Sequence, residues 1–284
     1  MRRLLALVAL VGCVLGLLGV AAAATVAHRA SVHPGHAQDG LLTVLAIGSD
    51  IGPPHRTGDA LRGRADGVHL IAVDPATRRA TVVNIPRDTL VAGHKLTDLL
   101  FLQGPDGLAA TMADFTGVRV DYWALMTFRS IENVVDGLGG VVVDVEQPMR
   151  DPKSGSDFAP GPQRLAGHQA LSYLRDRSSV PGGDFGRTRN HGNLLRFAHA
   201  QVRGDLTDLP QLGRTVALFS RNTVTNIPPS ELLPLARLAL QIEPADIRQT
   251  ALQGTLGTAA GGASIVHLHA GDAFDRIRAG QVGP

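Results

Sequence analysis

The chain has 284 residues, of which 44% are hydrophobic and 18% are charged, and its formal net charge is +2. This composition is typical of a folded protein with one large or two small domains, and it excludes a largely disordered chain. The small net charge excludes a protein that binds nucleic acid through an overall basic surface, so we expect no nucleic-acid partner.

The N-terminal segment predicts a membrane anchor. Residues 4–27 contain no charged side chain, and the run is long enough to cross a bilayer as one helix. Arg2 and Arg3 precede it, so the positive-inside rule leaves the N-terminus in the cytoplasm and the body of the protein outside. We therefore predict a single-pass cell-membrane protein with a cytoplasmic N-terminus (1–3), a transmembrane anchor (4–27), a polar linker (28–40) and one extracytoplasmic domain (41–284).

Two other interpretations of this segment remain open. Ala22-Ala23-Ala24 is a possible cleavage site for a secretory signal peptide. The single cysteine, Cys13, suggests a lipoprotein signal, although the apolar run continues well beyond it. Because Cys13 lies in this run, disulfide bonds and thiol catalysis in the folded domain are excluded.

Three strand-like runs open the predicted domain. They cover residues 41–47, 68–73 and 80–85. Residues 74–77 predict a type I turn, with Asp at the first position and Pro at the second, so the second and third strands should form a hairpin. An antiparallel arrangement of the three strands places Asp50, Asp66 and Arg87 at one edge of the sheet, where loops commonly carry ligand sites.

Helical and strand-like patterns then alternate to the C-terminus, without an internal repeat or a clear domain linker. Predicted helices cover 107–115, 129–138, 165–175, 187–202, a segment from 208, a segment from 228 to 240, and 272–278. Predicted strands cover 122–128, 141–145, 247–252 and 264–269.

Asp50 and Asp66 are candidate ligands for one Mg²⁺. This ion prefers oxygen ligands and is usually held by one or two carboxylates together with substrate phosphates and water. In the competing interpretation Asp50 caps a turn and Asp66 pairs with Arg64, since aspartate is a common turn residue.

Arginines recur beside these carboxylates and suggest a phosphate site. Arg87 follows a proline at a strand exit, where it is either aimed at a phosphate or paired on the surface with Asp88. Arg187 and Arg189 lie at the predicted start of a helix, where cations oppose the macrodipole. An anion bound at that helix start would remove the conflict.

Arg175 and Arg177 lie two apart at the end of the preceding helix. The alternative for all four arginines from 175 to 189 is a solvated face, with Asp176 and Asp184 as their partners. Other phosphate and acyl-transfer motifs are missing from the sequence, which has no Walker A loop, no Gly-x-Gly-x-x-Gly after a strand and no Gly-x-Ser-x-Gly.

At these residues the chain resembles the LytR-CpsA-Psr family of membrane-anchored cell-wall phosphotransferases. The resemblance covers roughly residues 41–203, and more loosely the remainder of the chain. It is carried, in order, by Gly48-Ser49-Asp50, Arg64-Ala65-Asp66, Asp74-Pro75, Ile85-Pro86-Arg87-Asp88, Leu138-Gly139-Gly140-Val141, Leu165-Ala166-Gly167-His168-Gln169-Ala170-Leu171 and Asp184-Phe185-Gly186-Arg187.

The resemblance implies an α/β domain with a central mixed β-sheet flanked by helices, and an apolar groove for a polyprenyl chain walled by residues 96–102 and 122–128. It implies transfer of a glycopolymer from a polyprenyl-diphosphate carrier to peptidoglycan, with Mg²⁺ or Mn²⁺ as cofactor. By position, the implied metal ligands are Asp50 and Asp66, the pyrophosphate ligands are Arg64, Arg87, Arg175, Arg177, Arg187 and Arg189, and the catalytic residues are Arg87, Asp66 and Asp184.

The chain also departs from the family pattern. Ala65 and Gly67 stand where the family usually has Ser and Thr, Thr97 stands in place of Asn, and Asn190-His191 replace Arg-Gln. These changes put acceptor handling and rate in doubt. They leave open two alternatives, a membrane-tethered protein that binds polyprenyl phosphate or wall polymer without catalysis, and a polyprenyl-diphosphate hydrolase.

Overall fold

The computed structural model describes residues 40–51, 58–206, 208–259 and 261–284. The predicted cytoplasmic N-terminus, the anchor and nearly all of the linker lie outside the described residues. Within those four ranges no helix combines the length and the apolar character that a bilayer crossing requires.

A six-stranded mixed sheet forms the centre of the domain, as predicted. Its strands are β1 (Leu42–Ser49), β2 (Ala65–Asp74), β3 (Arg79–Ile85), β6 (Tyr122–Thr127), β11 (Val224–Thr225) and β12 (Ile247–Ala251). The strand order is β11-β6-β1-β2-β3-β12, with β1 parallel to β6, β3 parallel to β12, and the other neighbours antiparallel.

The predicted hairpin is confirmed, and so is the prediction that it brings the candidate site residues to one edge of the sheet. Asp74 Oδ1 accepts hydrogen bonds from the backbone amides of Ala76 (2.8 Å) and Thr77 (3.2 Å), which fixes the turn between β2 and β3. Ser49 at the end of β1 lies opposite Ala65 at the start of β2. Because β3 ends beside the start of β2, the residues that follow β1 and β3 lie at the same edge as the first residues of β2.

Small strand pairs surround the sheet, and several of them were not predicted. Residues 264–269 form a strand, as expected, but it pairs with residues 253–258 rather than with the central sheet. The remaining strands are β4 (Leu90–Val91), β5 (His94–Lys95), β7 (Val141–Val145), β8 (Met149–Asp151), β9 (Ser156–Phe158), β10 (Gly161–Leu165), β13 (Gln253–Thr258) and β14 (Ser264–His269).

Helices flank the sheet at or near the predicted positions. They are α1 (Leu96–Thr116), α2 (Phe128–Gly137), α3 (Gly167–Arg175), α4 (Asp184–Asp205), α5 (Leu209–Asn222), α6 (Pro229–Gln241) and α7 (Ala273–Arg278). The largest difference is α1, which begins at Leu96 and is interrupted at Gly104, where φ is 72°. Glycine tolerates this conformation, and the residue before a proline is disfavoured in helical geometry.

The two faces of the sheet carry different side chains. Successive residues of a strand point to opposite faces, so each strand contributes to both. Leu45, Leu70 and Val83 are completely buried in one core together with side chains of α1 and α7. On the opposite face, α4 packs across β2, β3 and β12. That second face carries the polar pair His69 and Asn84, which lie opposite each other in the β2–β3 register.

The leucines expected to line a lipid groove contribute to this first core instead. Leu96, Leu99 and Leu100 are fully buried there. Phe101 and Leu102, which continue the same apolar run, are 56% and 48% exposed. The run is therefore divided between the core and the surface.

Candidate functional site

Asp66 and Arg87 form a close ion pair at the predicted edge of the sheet. Arg87 Nη1 lies 2.5 Å from Asp66 Oδ1, and the two side chains are 19% and 14% exposed. Burial alone would lower the pKa of Arg87, but the neighbouring carboxylate of Asp66 outweighs it and the pKa is raised. A surface pair between Arg87 and Asp88 was the wrong alternative, because Asp88 Oδ1 instead accepts a hydrogen bond from Lys95 Nζ at 3.2 Å.

Asp184 gathers two further arginines beside this pair. Its Oδ1 lies 2.8 Å from Arg187 Nη2 and 3.3 Å from Arg177 Nε. Arg177 Nη2 also lies 3.9 Å from Asp88 Oδ2, which connects this group to the segment that carries Arg87. Three of the predicted arginines therefore share one region with two of the predicted carboxylates.

The start of α4 differs from the sequence prediction. The helix begins at Asp184, so its first turn carries an acidic residue, which the macrodipole favours. Arg187 lies one turn further on and pairs back to Asp184. The conflict with the dipole that the sequence suggested at Arg187 is therefore resolved within the helix.

Arg187 carries a buried charge that its surroundings do not fully satisfy. The residue is 3% exposed, and burial, reinforced by the nearby Arg87 and Arg177, lowers its pKa despite the contact with Asp184. Among the described residues, Nε and Nη2 of Arg187, Nε of Arg87 and both oxygens of Asp184 have no hydrogen-bond partner. The short contacts at Asp184 are thus charge contacts without hydrogen-bond alignment.

This arrangement favours an anion. Buried polar groups are almost always hydrogen-bonded, and the exceptions call for an explanation such as a missing ligand. The guanidinium N–H groups of Arg87 and Arg187 are donors, and phosphate oxygens match arginine geometry well. The cluster is therefore chemically suited to a phosphate or diphosphate.

Asp50 lies at the neighbouring strand end and holds the backbone of Arg64. Its Oδ1 accepts from the Arg64 amide at 2.8 Å, and its Oδ2 accepts from Arg64 Nε at 3.2 Å. The backbone amide of Asp50 in turn donates to the Arg64 carbonyl at 3.0 Å. Asp50, rather than Asp66, is thus the partner of Arg64, which corrects the competing interpretation.

The two carboxylates fit Mg²⁺ or Mn²⁺ only in combination with a phosphate ligand. The described ranges contain no group of three or more His, Cys, Asp or Glu side chains suited to a metal. Asp50 and Asp66 lie on adjacent strand ends, and Arg87 contacts only Oδ1 of Asp66 among the ion pairs of the described residues. One or two carboxylates completed by phosphate and water are the usual ligands of Mg²⁺.

Arg175 and Arg189 have other surroundings. The Arg175 guanidinium lies 5.6 Å from the centre of the Phe128 ring, which is a cation–π contact. Arg189 Nε lies 4.0 Å from Glu146 Oε2. Neither residue shares an ion pair with Asp184 among the described residues.

Asp176 is not an arginine partner, contrary to the solvated-face interpretation. It is completely buried and accepts hydrogen bonds from Ser156 Oγ at 2.6 Å and from the amides of Ser178 and Ser179 at 3.0 Å. Burial acts to raise the pKa of Asp176, but these hydrogen bonds outweigh it and lower the pKa. The carboxylate therefore fixes the loop that follows α3.

Sequence reasoning missed a polar layer beneath the arginines. His69 Nδ1 lies 2.7 Å from Asn84 Oδ1, and Asn84 Nδ2 donates to the Thr250 carbonyl at 3.2 Å. Burial lowers the pKa of His69 to about 4. The ring of His191 lies 5.7 Å from that of His69. The strand register could have suggested the pair of His69 and Asn84, but the sequence contains no signal for the approach of α4.

Comparison with known proteins gives the family. The model of the LytR_cpsA_psr family matches residues 19–278. The chain is 27% identical to the polyisoprenyl-teichoic acid--peptidoglycan teichoic acid transferase TagU of Bacillus cereus over 202 residues, which are 69% of this chain and 64% of that protein. It is 30% identical to TagU of Bacillus licheniformis over 191 residues, which are 65% of this chain and 60% of that protein. The alignments thus span less than two thirds of these relatives.

A solved structure shares the fold. The crystal structure of B. subtilis TagV superposes with a TM-score of 0.71 at 22% identity, covering 86% of this chain and 96% of that one. The family match covers most of the chain and includes the strand ends and helix starts that carry the site. The chain therefore belongs to the LytR-CpsA-Psr family.

Proposed function

We propose that the protein is a phosphotransferase that attaches a glycopolymer, carried on polyprenyl diphosphate, to peptidoglycan during cell-wall assembly. The observation that carries the proposal is the buried guanidinium of Arg187, which lies near Arg87 and Arg177 and has N–H groups without acceptors among the described residues. The name of the TagU relatives, a teichoic acid transferase acting between a polyisoprenyl carrier and peptidoglycan, supports the same reaction class.

The reaction would be a phosphoryl transfer. A peptidoglycan hydroxyl attacks the phosphorus that bears the glycan, and a new phosphodiester forms. The bond to the bridging oxygen breaks, polyprenyl phosphate leaves, and the hydroxyl proton passes to a base. Asp66 and Asp184 are the two candidates for that base, because they are the carboxylates located within the arginine cluster in which the diphosphate is proposed to bind.

The arginines would stabilise charge on the diphosphate. Such stabilisation by pre-positioned donors is commonly the largest contribution to a phosphoryl or acyl transfer. Arg87, Arg177 and Arg187 are the central donors by position. Arg64, Arg175 and Arg189 lie in neighbouring segments and are proposed to contact the diphosphate or the attached sugars.

Asp50 and Asp66 are proposed to hold Mg²⁺ or Mn²⁺ together with the diphosphate. Such an ion supplies additional charge neutralisation when bound. The carboxylates would orient the substrate through that ion, and Asp50 also fixes the backbone at the start of β2 through its bonds to Arg64.

Metal dependence tests the reaction and separates the alternatives. Purified protein is incubated with a polyprenyl-diphosphate-linked glycan, with or without Mg²⁺ and with or without a peptidoglycan fragment, and polyprenyl phosphate and the joined product are measured. We expect Mg²⁺-dependent release and a joined product only when the acceptor is present. Asp50→Ala should require more Mg²⁺ for half-maximal rate, whereas Asp157→Ala, which replaces an aspartate with a 76% exposed side chain, should not.

Other outcomes of this assay would replace the proposal. Release of polyprenyl phosphate without an acceptor would identify a hydrolase. Retention of the lipid without any release would identify a binding protein. Metal-independent transfer would retain the transferase and remove the Mg²⁺ proposal.

The protein is further proposed to be anchored in the cell membrane, with this domain outside the cytoplasm. The uncharged run of residues 4–27 behind Arg2 and Arg3 supports this arrangement. Protease added to intact protoplasts should degrade the domain while a cytoplasmic marker survives. Protection of the domain until the cells are lysed would contradict the proposed orientation.

A further inference from the structure

Gly67 and His191 are in direct contact beneath the arginine cluster. Gly67 lies on β2 immediately after Asp66, and His191 lies on α4. A Cβ atom added to Gly67 would lie 2.9 Å from His191 Nδ1 and 3.2 Å from His69 Nε2, and real Cβ contacts under 3.0 Å essentially never occur. The imidazole of His191 thus occupies the space that a side chain at position 67 would need.

The neighbouring strand provides a contrast. Gly48 lies directly opposite Gly67 in the β1–β2 register. A Cβ added to Gly48 would have its nearest contact at 3.5 Å, an ordinary van der Waals distance. The restriction at Gly67 therefore comes from His191 and His69, rather than from the strand itself.

The His191 ring cannot move aside without losing a hydrogen bond. Its Nε2 lies 2.8 Å from the Leu174 carbonyl oxygen. A carbonyl only accepts, so Nε2 carries the hydrogen and Nδ1, which faces Gly67, carries a lone pair. Burial, followed by the charges of Arg187 and His69, lowers the pKa of His191, and this keeps the ring neutral in that form at neutral pH.

These contacts connect the three segments that carry the cluster. Leu174 immediately precedes Arg175 near the end of α3, His191 lies one helical turn after Arg187, and Gly67 follows Asp66. We infer that His191 is a positioning residue, matched to Gly67, that sets the spacing between the Asp66–Arg87 pair, the Arg175–Arg177 segment and Arg187. The inference rests on the proposed function in assigning a diphosphate to that cluster.

A double-mutant cycle tests this inference. Gly67→Ala, His191→Ala and the double variant are compared with the wild type in the full-length protein. The readouts are the unfolding temperature, the Kd for inorganic pyrophosphate with Mg²⁺ by calorimetry, and kcat and KM for transfer. Gly48→Ala serves as the packing control for the unfolding temperature.

We expect Gly67→Ala to weaken pyrophosphate binding on the order of tenfold, because it should displace the neighbouring imidazole and break the hydrogen bond of that ring. It should also lower the unfolding temperature, whereas Gly48→Ala should not. In the His191→Ala background, adding Gly67→Ala should have a clearly smaller further effect on both quantities, because only the 3.2 Å approach to His69 Nε2 remains. His191→Gln, which can still donate to the Leu174 carbonyl, should bind pyrophosphate more tightly than His191→Ala.

If Gly67→Ala lowers the unfolding temperature and the pyrophosphate affinity equally in the wild-type and His191→Ala backgrounds, Gly67 and His191 are not a matched pair. Equal pyrophosphate affinity of His191→Ala, His191→Gln and the wild type would overturn the positioning role. If the wild type itself does not bind pyrophosphate, the proposed function fails. The unfolding temperatures of the two single variants and the double variant would still show whether Gly67 and His191 are matched.

Discussion

Arg87→Ala should lower the turnover of transfer by about 10²–10³-fold, which is typical for removing one donor that stabilises charge in a transition state. Arg87 is held by Asp66 at 2.5 Å, and its Nε has no hydrogen-bond partner among the described residues. That buried and unsatisfied N–H is the donor that we assign to the diphosphate. The measurement is kcat with saturating donor and a peptidoglycan acceptor.

Two control variants test whether the guanidinium group and its position in the cluster are both required. Arg87→Lys should recover activity only in part, because an ammonium group lacks the two-pronged grip of a guanidinium. Arg150→Ala, at a side chain that is 82% exposed and paired with Asp157, should retain wild-type turnover. Wild-type turnover of Arg87→Ala in the presence of acceptor would refute the diphosphate role and favour a binding protein.

Asp184→Ala should have the largest effect on stability. Arg187 is 3% exposed and Asp184 is its ion-pair partner at 2.8 Å. Breaking a buried pair from one side costs roughly 3–5 kcal/mol, because an uncompensated charge remains. For a domain of this size that loss corresponds to roughly 10 °C in the unfolding temperature, which differential scanning calorimetry can measure.

A second substitution distinguishes lost charge balance from lost packing. Asp184→Ala combined with Arg187→Met should recover part of the unfolding temperature, because it removes the unpaired cation and keeps an apolar side chain in its place. Asp157→Ala should remain close to the wild type, as is usual for exposed positions. If Asp184→Ala unfolds at the same temperature as Asp157→Ala, the buried pair does not stabilise the domain.

The positions of the strand ends were predictable because local signals and topology agreed. The Asp-Pro turn at residues 74–77 fixed the β2–β3 hairpin, and the hairpin placed Asp66 and Arg87 at one edge. The choice of partner for Arg87 was not predictable in the same way. Asp88 is adjacent in sequence, but both residues lie in the turn after β3, where Asp88 pairs with Lys95 and the carboxylate of Asp66 across the hairpin is the ion-pair partner of Arg87.

The starts of two helices were harder to predict for local reasons. Gly104-Pro105 interrupts α1 and separates its first apolar turns from the rest, so the sequence predicted only the second half. The predicted helix began at residue 187, whereas α4 begins at Asp184, directly after Gly183. The contact between His191 and Gly67 depends on how α4 packs against the sheet, which no local pattern encodes.

The position of β12 has a consequence for the order of folding. Asn84 on β3 donates to the Thr250 carbonyl on β12, 166 positions later in the chain. Contacts between such distant segments require the closure of a long loop and form slowly, whereas hairpins such as β2–β3 form early. The Asp66–Arg87 pair can therefore assemble from a nascent chain, but the sheet that supports it has an open edge at β3 until the last quarter has been synthesised. During that interval the edge of β3 is exposed to pairing with other chains.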